Sequence, residues 1–147
     1  MAAGYTLITH IQKDKLPTAL DRVVDRALDL GQMELLGNLE RNSPVDDGNL
    51  QNSWFPLGRS RLERLVRSSA KYAKFVNDGT GIYGPRGKLI TPKTKKALAF
   101  EYKGAMVVVK SVKGIKPRRY VEKSINETEK RGDEFIIRAA MEAKGLL

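Results

Sequence analysis

The feature that most constrains this 147-residue chain is a helical period in its first third. Leu16, Leu20, Val23, Val24, Ala27, Leu28, Leu35, Leu36 and Leu39 recur at spacings of three and four, which places one apolar stripe along an amphipathic helix. Pro17 suits the first turn, where an amide hydrogen has no intrahelical partner, and Ser43-Pro44 ends the run because the residue before proline is pushed out of helical geometry. The spacing predicts a helix from about Pro17 to Ser43. Gly31 and Gly37 inside it each cost about 1 kcal/mol relative to alanine, so a bend or a close approach is expected there.

A helix this long must bury its stripe against another layer. Before it, Tyr5, Leu7, Thr9 and Ile11 alternate with Thr6, Ile8, His10 and Gln12, the period of a strand. After it, Val45 to Asn49 has turn composition and leads into Leu50 to Phe55, and Leu62 to Ser69 forms a second strand candidate. Ala97–Tyr102 and Ala105–Val112 flank Lys103-Gly104, the two-residue spacing of a tight hairpin. The run Met106–Val109 reads as buried on both faces. Val121, Ile125, Thr128, Phe135, Ile136, Ala139, Ala140 and Ala143 mark a C-terminal helix with a bend at Gly132. Helices at the ends and strands in the middle predict an α+β fold, an antiparallel sheet packed against a long N-terminal helix and a C-terminal helix. The length fits a single domain, 1–147, with a flexible basic loop around 77–96.

The longest apolar run, Ala105 to Val109, falls far short of the roughly 20 residues that span a bilayer, so no membrane contact is expected. The N-terminus lacks the basic and apolar regions of a secretion signal, which points to synthesis in a cytoplasm. With no cysteine, disulfides and thiolate metal ligands are excluded. The formal net charge of +10 is unevenly placed. Residues 1–58 carry 5 Lys/Arg against 8 Asp/Glu, residues 59–119 carry 17 against 3, and residues 120–147 carry 5 against 6. The middle therefore holds a positive field suited to phosphate backbones or acidic protein surfaces, unless it serves only as a solvated, mutually repelling surface.

Gly79, Gly81 and Gly84 reproduce the G-x-G-x-x-G spacing of a dinucleotide-binding turn. That turn needs a helix opening at the third glycine so that its amino end faces the pyrophosphate, and Pro92 breaks any helix in that position. A Walker loop fails as well, since Ile82 stands where its first glycine belongs and Leu89 follows Lys88. No cofactor is expected. His10 is the only histidine, too little for a triad or a multi-histidine metal site. Asp46-Asp47-Gly48-Asn49 lacks the alternating ligands of a calcium loop and reads as a turn. Asp21, Asp25 and Asp29, opposite the leucines, read as a solvated helix face.

What is left is the basic segment. Arg59, Arg61, Arg64 and Arg67 precede the glycine-rich stretch, Lys88, Lys93, Lys95 and Lys96 flank it, and Arg118 and Arg119 follow. Tyr72, Phe75, Tyr83 and Tyr120 are interspersed, as on surfaces that combine phosphate contacts with base stacking. This supports one function, a free-standing basic nucleic-acid-binding protein.

A different function follows from three segments taken in order: Ser43-Pro44-Val45-Asp46-Asp47-Gly48-Asn49-Leu50-Gln51-Asn52-Ser53, Tyr72 through Thr80, and Gly114-Ile115-Lys116-Pro117-Arg118-Arg119-Tyr120. Together they resemble the tailed-bacteriophage neck proteins called head-tail joining or tail-completion proteins. The first motif departs from the family's Asp-Thr-Gly by having Asp47 for threonine, and two arginines separate Pro117 from Tyr120. The resemblance implies a non-catalytic virion protein at the head-tail junction, made in the host cytoplasm. It implies a homo-oligomeric ring, commonly of six subunits, that joins head-closure and tail proteins and lets DNA pass. On that reading Gly79, Thr80, Tyr83 and Arg86 contact a neighbouring subunit or ring, with Tyr83 as anchor. Lys88, Lys93, Lys95, Lys96, Arg118 and Arg119 face DNA in the channel or an acidic partner.

Overall fold

A computed structural model of the chain describes residues 6–10, 18–60 and 62–145. They fall into two compact units, Met1–Ala73 with Tyr120–Leu147, and Lys74–Arg119. Tyr5 and Ile11 of the expected first strand, Leu16 and Pro17 at the expected helix start, and Arg61 lie outside the described residues, as does the side chain of His10.

The first unit is built on α1 (Thr18–Asn42), the long helix anticipated from the leucine spacing. It packs against a three-stranded sheet and also against two C-terminal helices. The sheet contains β1 (Thr6–His10), β2 (Trp54–Ser60) and β3 (Glu63–Ser68), all antiparallel in the order β1-β3-β2. Central β3 alternates along its length, burying Arg64, Val66 and Ser68 and leaving Glu63, Leu65 and Arg67 partly exposed. Pro56 is tolerated because β2 lies at an edge, and the register of that strand shifts between Leu57 and Arg59. Leu28, Leu35, Leu39, Leu50, Trp54, Leu62, Val66, Ala73, Tyr120, Val121 and Ala139 form the buried core. Full burial of a side chain such as Leu39 or Val66 stabilises by about 1.5–3 kcal/mol.

The C-terminal helix is two helices, α3 (Tyr120–Glu129) and α4 (Gly132–Ala143). The break falls at the glycine where a bend was expected, and Asp133 and Glu134 occupy the first turn of α4, where negative charge meets the positive end of the helix dipole. Of the two glycines in α1, Gly31 faces Phe135, but a Cβ there would lie 3.6 Å from the ring, an ordinary van der Waals contact that does not require glycine. Around Gly37 nothing comes within 4 Å.

Polar ties hold α1 to its neighbours. Asn38 Nδ2 donates to Thr128 Oγ1 at 2.9 Å, Asn42 Nδ2 to Glu127 Oε2 at 2.7 Å, and Gln32 Nε2 to the Leu65 carbonyl at 2.7 Å. Arg26 Nε donates to Glu142 Oε2 at 2.5 Å. The hydrogen bond from Arg26 and a second from Arg138 hold the Glu142 carboxyl below its ordinary value near 4.5, against the opposing effect of burial. A carboxylate with a depressed folded-state pKa contributes stability that is present above the unfolded value and lost as pH falls through the folded one. The α1–α4 contact is therefore expected to weaken below about pH 4.5. Glu142→Gln should flatten the acid limb of a plot of Tm against pH, and an unchanged limb would refute the assignment.

The reading of Asp25 and Asp29 as part of a solvated face needs correction. Arg64 on β3, its side chain 2% exposed, reaches α1, where Nε donates to Asp29 Oδ1 and Nη2 to Asp25 Oδ1, each at 2.6 Å. Arg64 is thus withdrawn from the basic surface to which its spacing assigned it.

The second unit begins within α2 (Ala73–Asp78) and contains the hairpin of β4 (Leu98–Tyr102) and β5 (Ala105–Val109). Lys103 and Gly104 have φ of 52° and 78°, the left-handed pair that a tight hairpin turn requires. The expectation that Met106–Val109 is buried on both faces also fails: Met106 is 71% and Val108 64% exposed. An apolar run predicts burial on the assumption that a second layer covers it, and the hairpin is a two-stranded sheet.

Candidate functional site

The glycine-rich stretch is shaped by its own chain. Thr80 N donates to the Ile115 carbonyl and Ile82 N to the Lys113 carbonyl, both at 2.9 Å, while Thr80 Oγ1 accepts from Ile115 N at 3.0 Å. Gly81–Tyr83 is one turn of 3-10 helix, and no helix opens at Gly84. The glycines permit backbones to touch. A Cβ on Gly81 would lie 2.0 Å from the Lys113 carbonyl oxygen, one on Gly114 2.2 Å from that of Thr80, and one on Gly79 2.9 Å from that of Ile115. Gly79 and Gly81 also take φ of +78° and +64°, where a side chain is strained. The spacing that mimics a nucleotide turn thus serves a strap between 79–82 and 113–115.

The same spine continues in both directions. Arg118 N and Arg119 N donate to the Val76 and Asn77 carbonyls at the end of α2, each at 3.1 Å. Ile90 and Val112 exchange two backbone hydrogen bonds, and beyond them Val109 to Ala105 pairs with Leu98 to Tyr102. Residues 105–119 therefore pair in turn with four separate segments, as strand β5 and then as irregular chain. Tyr83 is exposed, with Lys116 Nζ 5.9 Å from its ring centroid, a cation–π contact worth about 0.5–1 kcal/mol at an exposed site.

The sequence-assigned contact residues divide accordingly. Gly79 is buried and Thr80 half-buried within the strap, whereas Tyr83, Arg86, Lys88, Lys93, Lys95, Lys96, Arg118 and Arg119 are exposed. Residues 74–119 hold 12 Lys/Arg against 2 Asp/Glu, and the remaining 15 Lys/Arg are balanced by 15 Asp/Glu. This one unit carries all of the excess charge. It also contributes no apolar side chain to the buried core, while ten of its large apolar side chains, from Phe75 to Ile115, are exposed.

In the first unit, residues of all three motifs meet at one place. Trp54 Nε1 donates to Ser43 Oγ at 3.0 Å, and Ser43 Oγ donates to the Leu39 carbonyl at 2.6 Å, closing the end of α1. The Tyr120 ring stands edge-on to Trp54 with centroids 6.3 Å apart, and its hydroxyl donates to the Ala73 carbonyl at 3.0 Å. Ser43, Ala73 and Tyr120 thus tie the fold together and are not surface contacts. Asp47 Oδ1 accepts from Asn49 N at 3.0 Å, so the residue that replaces threonine in the first motif still makes the turn. Sequence reading missed Trp54 as the hub, although a lone buried-type aromatic beside the first motif was the available signal.

Among the described residues, no group of three or more His, Cys, Asp or Glu is arranged to hold a metal, and no helix is long and apolar enough to cross a membrane. No curated protein and no solved structure matches the chain. Residues 10–79, which include α1, β2, β3, the first motif and the second up to Gly79, match the model of the HK97-gp10-like family, described as "Bacteriophage HK97-gp10, putative tail-component", so that just under half of this chain is similar to a phage tail component, consistent with its resemblance to head-tail joining and tail-completion proteins.

Proposed function

We propose that the chain is a structural, non-catalytic protein of the phage head-tail interface, which assembles into a ring that joins the capsid connector to the tail and lets DNA pass. The family match supports a tail or neck role. The observation that carries assembly is that the 74–119 unit, with ten exposed large apolar side chains, has no buried apolar side chain of its own. A two-stranded hairpin is marginal in water unless another layer packs on it, and exposed apolar surface on this scale marks an interaction site. Tyr83 and Arg86 are the exposed contacts of the strap, and Gly79 and Thr80 act by holding its shape. Size-exclusion chromatography with light scattering should give one discrete oligomer that persists at high salt. A monomer at every concentration and salt would overturn the assignment.

The +10 arm favours a second function for the same surface, contact with nucleic acid. If it holds, the isolated protein binds duplex DNA with a steep salt dependence, and reversing Lys93, Lys95 and Lys96 to glutamate abolishes binding. Salt-insensitive or absent binding would leave docking to an acidic protein surface as the use of the basic strip.

A further inference from the structure

We infer that the apolar face of the β4–β5 hairpin docks on the outer face of α4 of a second copy of this chain, head to tail, an inference that rests on the ring proposed above. Two unpartnered surfaces of unlike shape in one chain lead to it. On the hairpin, Leu98, Phe100 and Tyr102 stand opposite Val109, Val107 and Ala105, giving one sheet face with no charged residue. Phe100 and Tyr102 on that face are exposed, Leu98, Val107 and Val109 are half-buried, and Lys103 Nζ lies 5.5 Å from the Tyr102 ring centroid.

The second surface is on α4. Its inner side is spoken for by Phe135 near Gly31, buried Ala139, and Glu142 on Arg26. At 100° per residue, Ile136, Ile137, Ala140 and Met141 project from the other side. Ile136 is 56% and Ile137 59% exposed. A helix that is apolar on two opposite sides has the composition of a buried helix, and here one side is open.

Electrostatics selects the occupant. Pairing two hairpins face to face would bring together two arms that each carry +10. Like-charge juxtaposition of that kind is penalised across an interface. The α4 stripe lies in a unit of balanced charge and begins with Asp133, while Lys103 stands at the hairpin tip. A helix on a sheet face is also a standard layer pairing. Because the two surfaces differ, the contact is heterologous, and each copy gives a hairpin to one neighbour and a helix to the other, the arrangement that closes into a ring.

The absence of cysteine makes a clean test possible. Full-length Tyr102→Cys and Ile137→Cys variants are oxidised singly, as a mixture and as the double variant, then resolved on non-reducing gels with the bonds mapped by mass spectrometry. Expected are a 102–137 bond between chains in the mixture, a ladder up to the ring size in the double variant, and no cross-link in either single variant. Self-linked Tyr102→Cys dimers, or a double variant that closes within one chain, would overturn the docking. A ring by light scattering without the 102–137 bond would overturn this contact and leave the ring standing, whereas a monomer throughout would remove both. Reduced variants with the parent's circular dichroism and oligomer size exclude misfolding as the cause.

Discussion

Arg64→Ala is expected to destabilise the first unit by about 3 kcal/mol, because it removes the buried cation against which the Asp25 and Asp29 carboxylates are held. The guanidinium has its five donors matched to acceptors: Asp29 Oδ1, Asp25 Oδ1 and the carbonyls of Asp25, Ser60 and Glu63. Burial works against its charge, yet the hydrogen bonds it donates to Asp25 and Asp29 outweigh that effect and raise its pKa, so it stays protonated. Truncation would leave two carboxylates four residues apart on α1, each about a quarter exposed, facing a cavity. For a unit of this size the loss corresponds to a fall of roughly 15 °C in Tm. Arg64→Met combined with Asp25→Asn and Asp29→Asn should recover most of it, since replacing a whole buried ion cluster costs far less than orphaning part of it. Thermal denaturation of the three variants decides the matter. A fall of under 2 °C for Arg64→Ala would mean the cluster is solvated, as the helix pattern alone suggested.

Gly81→Ala is expected to open the strap of the second unit and leave the first intact. The new Cβ would lie 2.0 Å from the Lys113 carbonyl oxygen and 2.6 Å from its carbon, which no rotamer change relieves because both atoms are backbone. Left-handed φ adds about 1–2 kcal/mol of strain, and two strap hydrogen bonds contribute about 1 kcal/mol each. Together they imply that amide exchange at Thr80, Ile82 and Ile115 accelerates on the order of 100-fold, while amides of α1 and β3 keep their protection. Gly87 supplies the control. It has φ of +57°, but nothing lies within 4 Å of its would-be Cβ, so Gly87→Ala should show the strain alone. Equal effects of the two substitutions would remove the close-approach explanation. Assembly should fail in Gly81→Ala and survive in Gly87→Ala, because the hairpin arm is aligned by the same spine.

These two predictions mark where the sequence was legible and where it was not. The leucine period located α1, the Ser43-Pro44 stop ended it at Asn42, and Lys103-Gly104 located the hairpin turn, since each is a local effect of backbone geometry. At the glycine fingerprint the lack of a helix after Gly84 was legible from Pro92, but the use of the glycines was hidden. Close approach of Gly81 to Lys113 joins residues 32 apart in sequence, and no local rule encodes it. Arg64 was misplaced for a similar reason. Its charge counts toward a basic surface until the pleat of β3 turns it toward α1 and two aspartates.

By itself, the sequence determined the long helix, the hairpin turn and the helical C-terminal segment with its break at Gly132, because periodicity, proline and glycine act over a few residues, whereas α2 carried no such signal. Only the tertiary structure decided which faces find a partner within the chain. It buried Trp54, Ser43 and Tyr120 where the motifs meet, and it withdrew Arg64 into an ion cluster. It left Phe100, Tyr102, Met106 and Val108 of the hairpin and Ile136 and Ile137 of α4 exposed. Burial depends on contacts between residues far apart in sequence, so an apolar pattern states only that a face needs a partner.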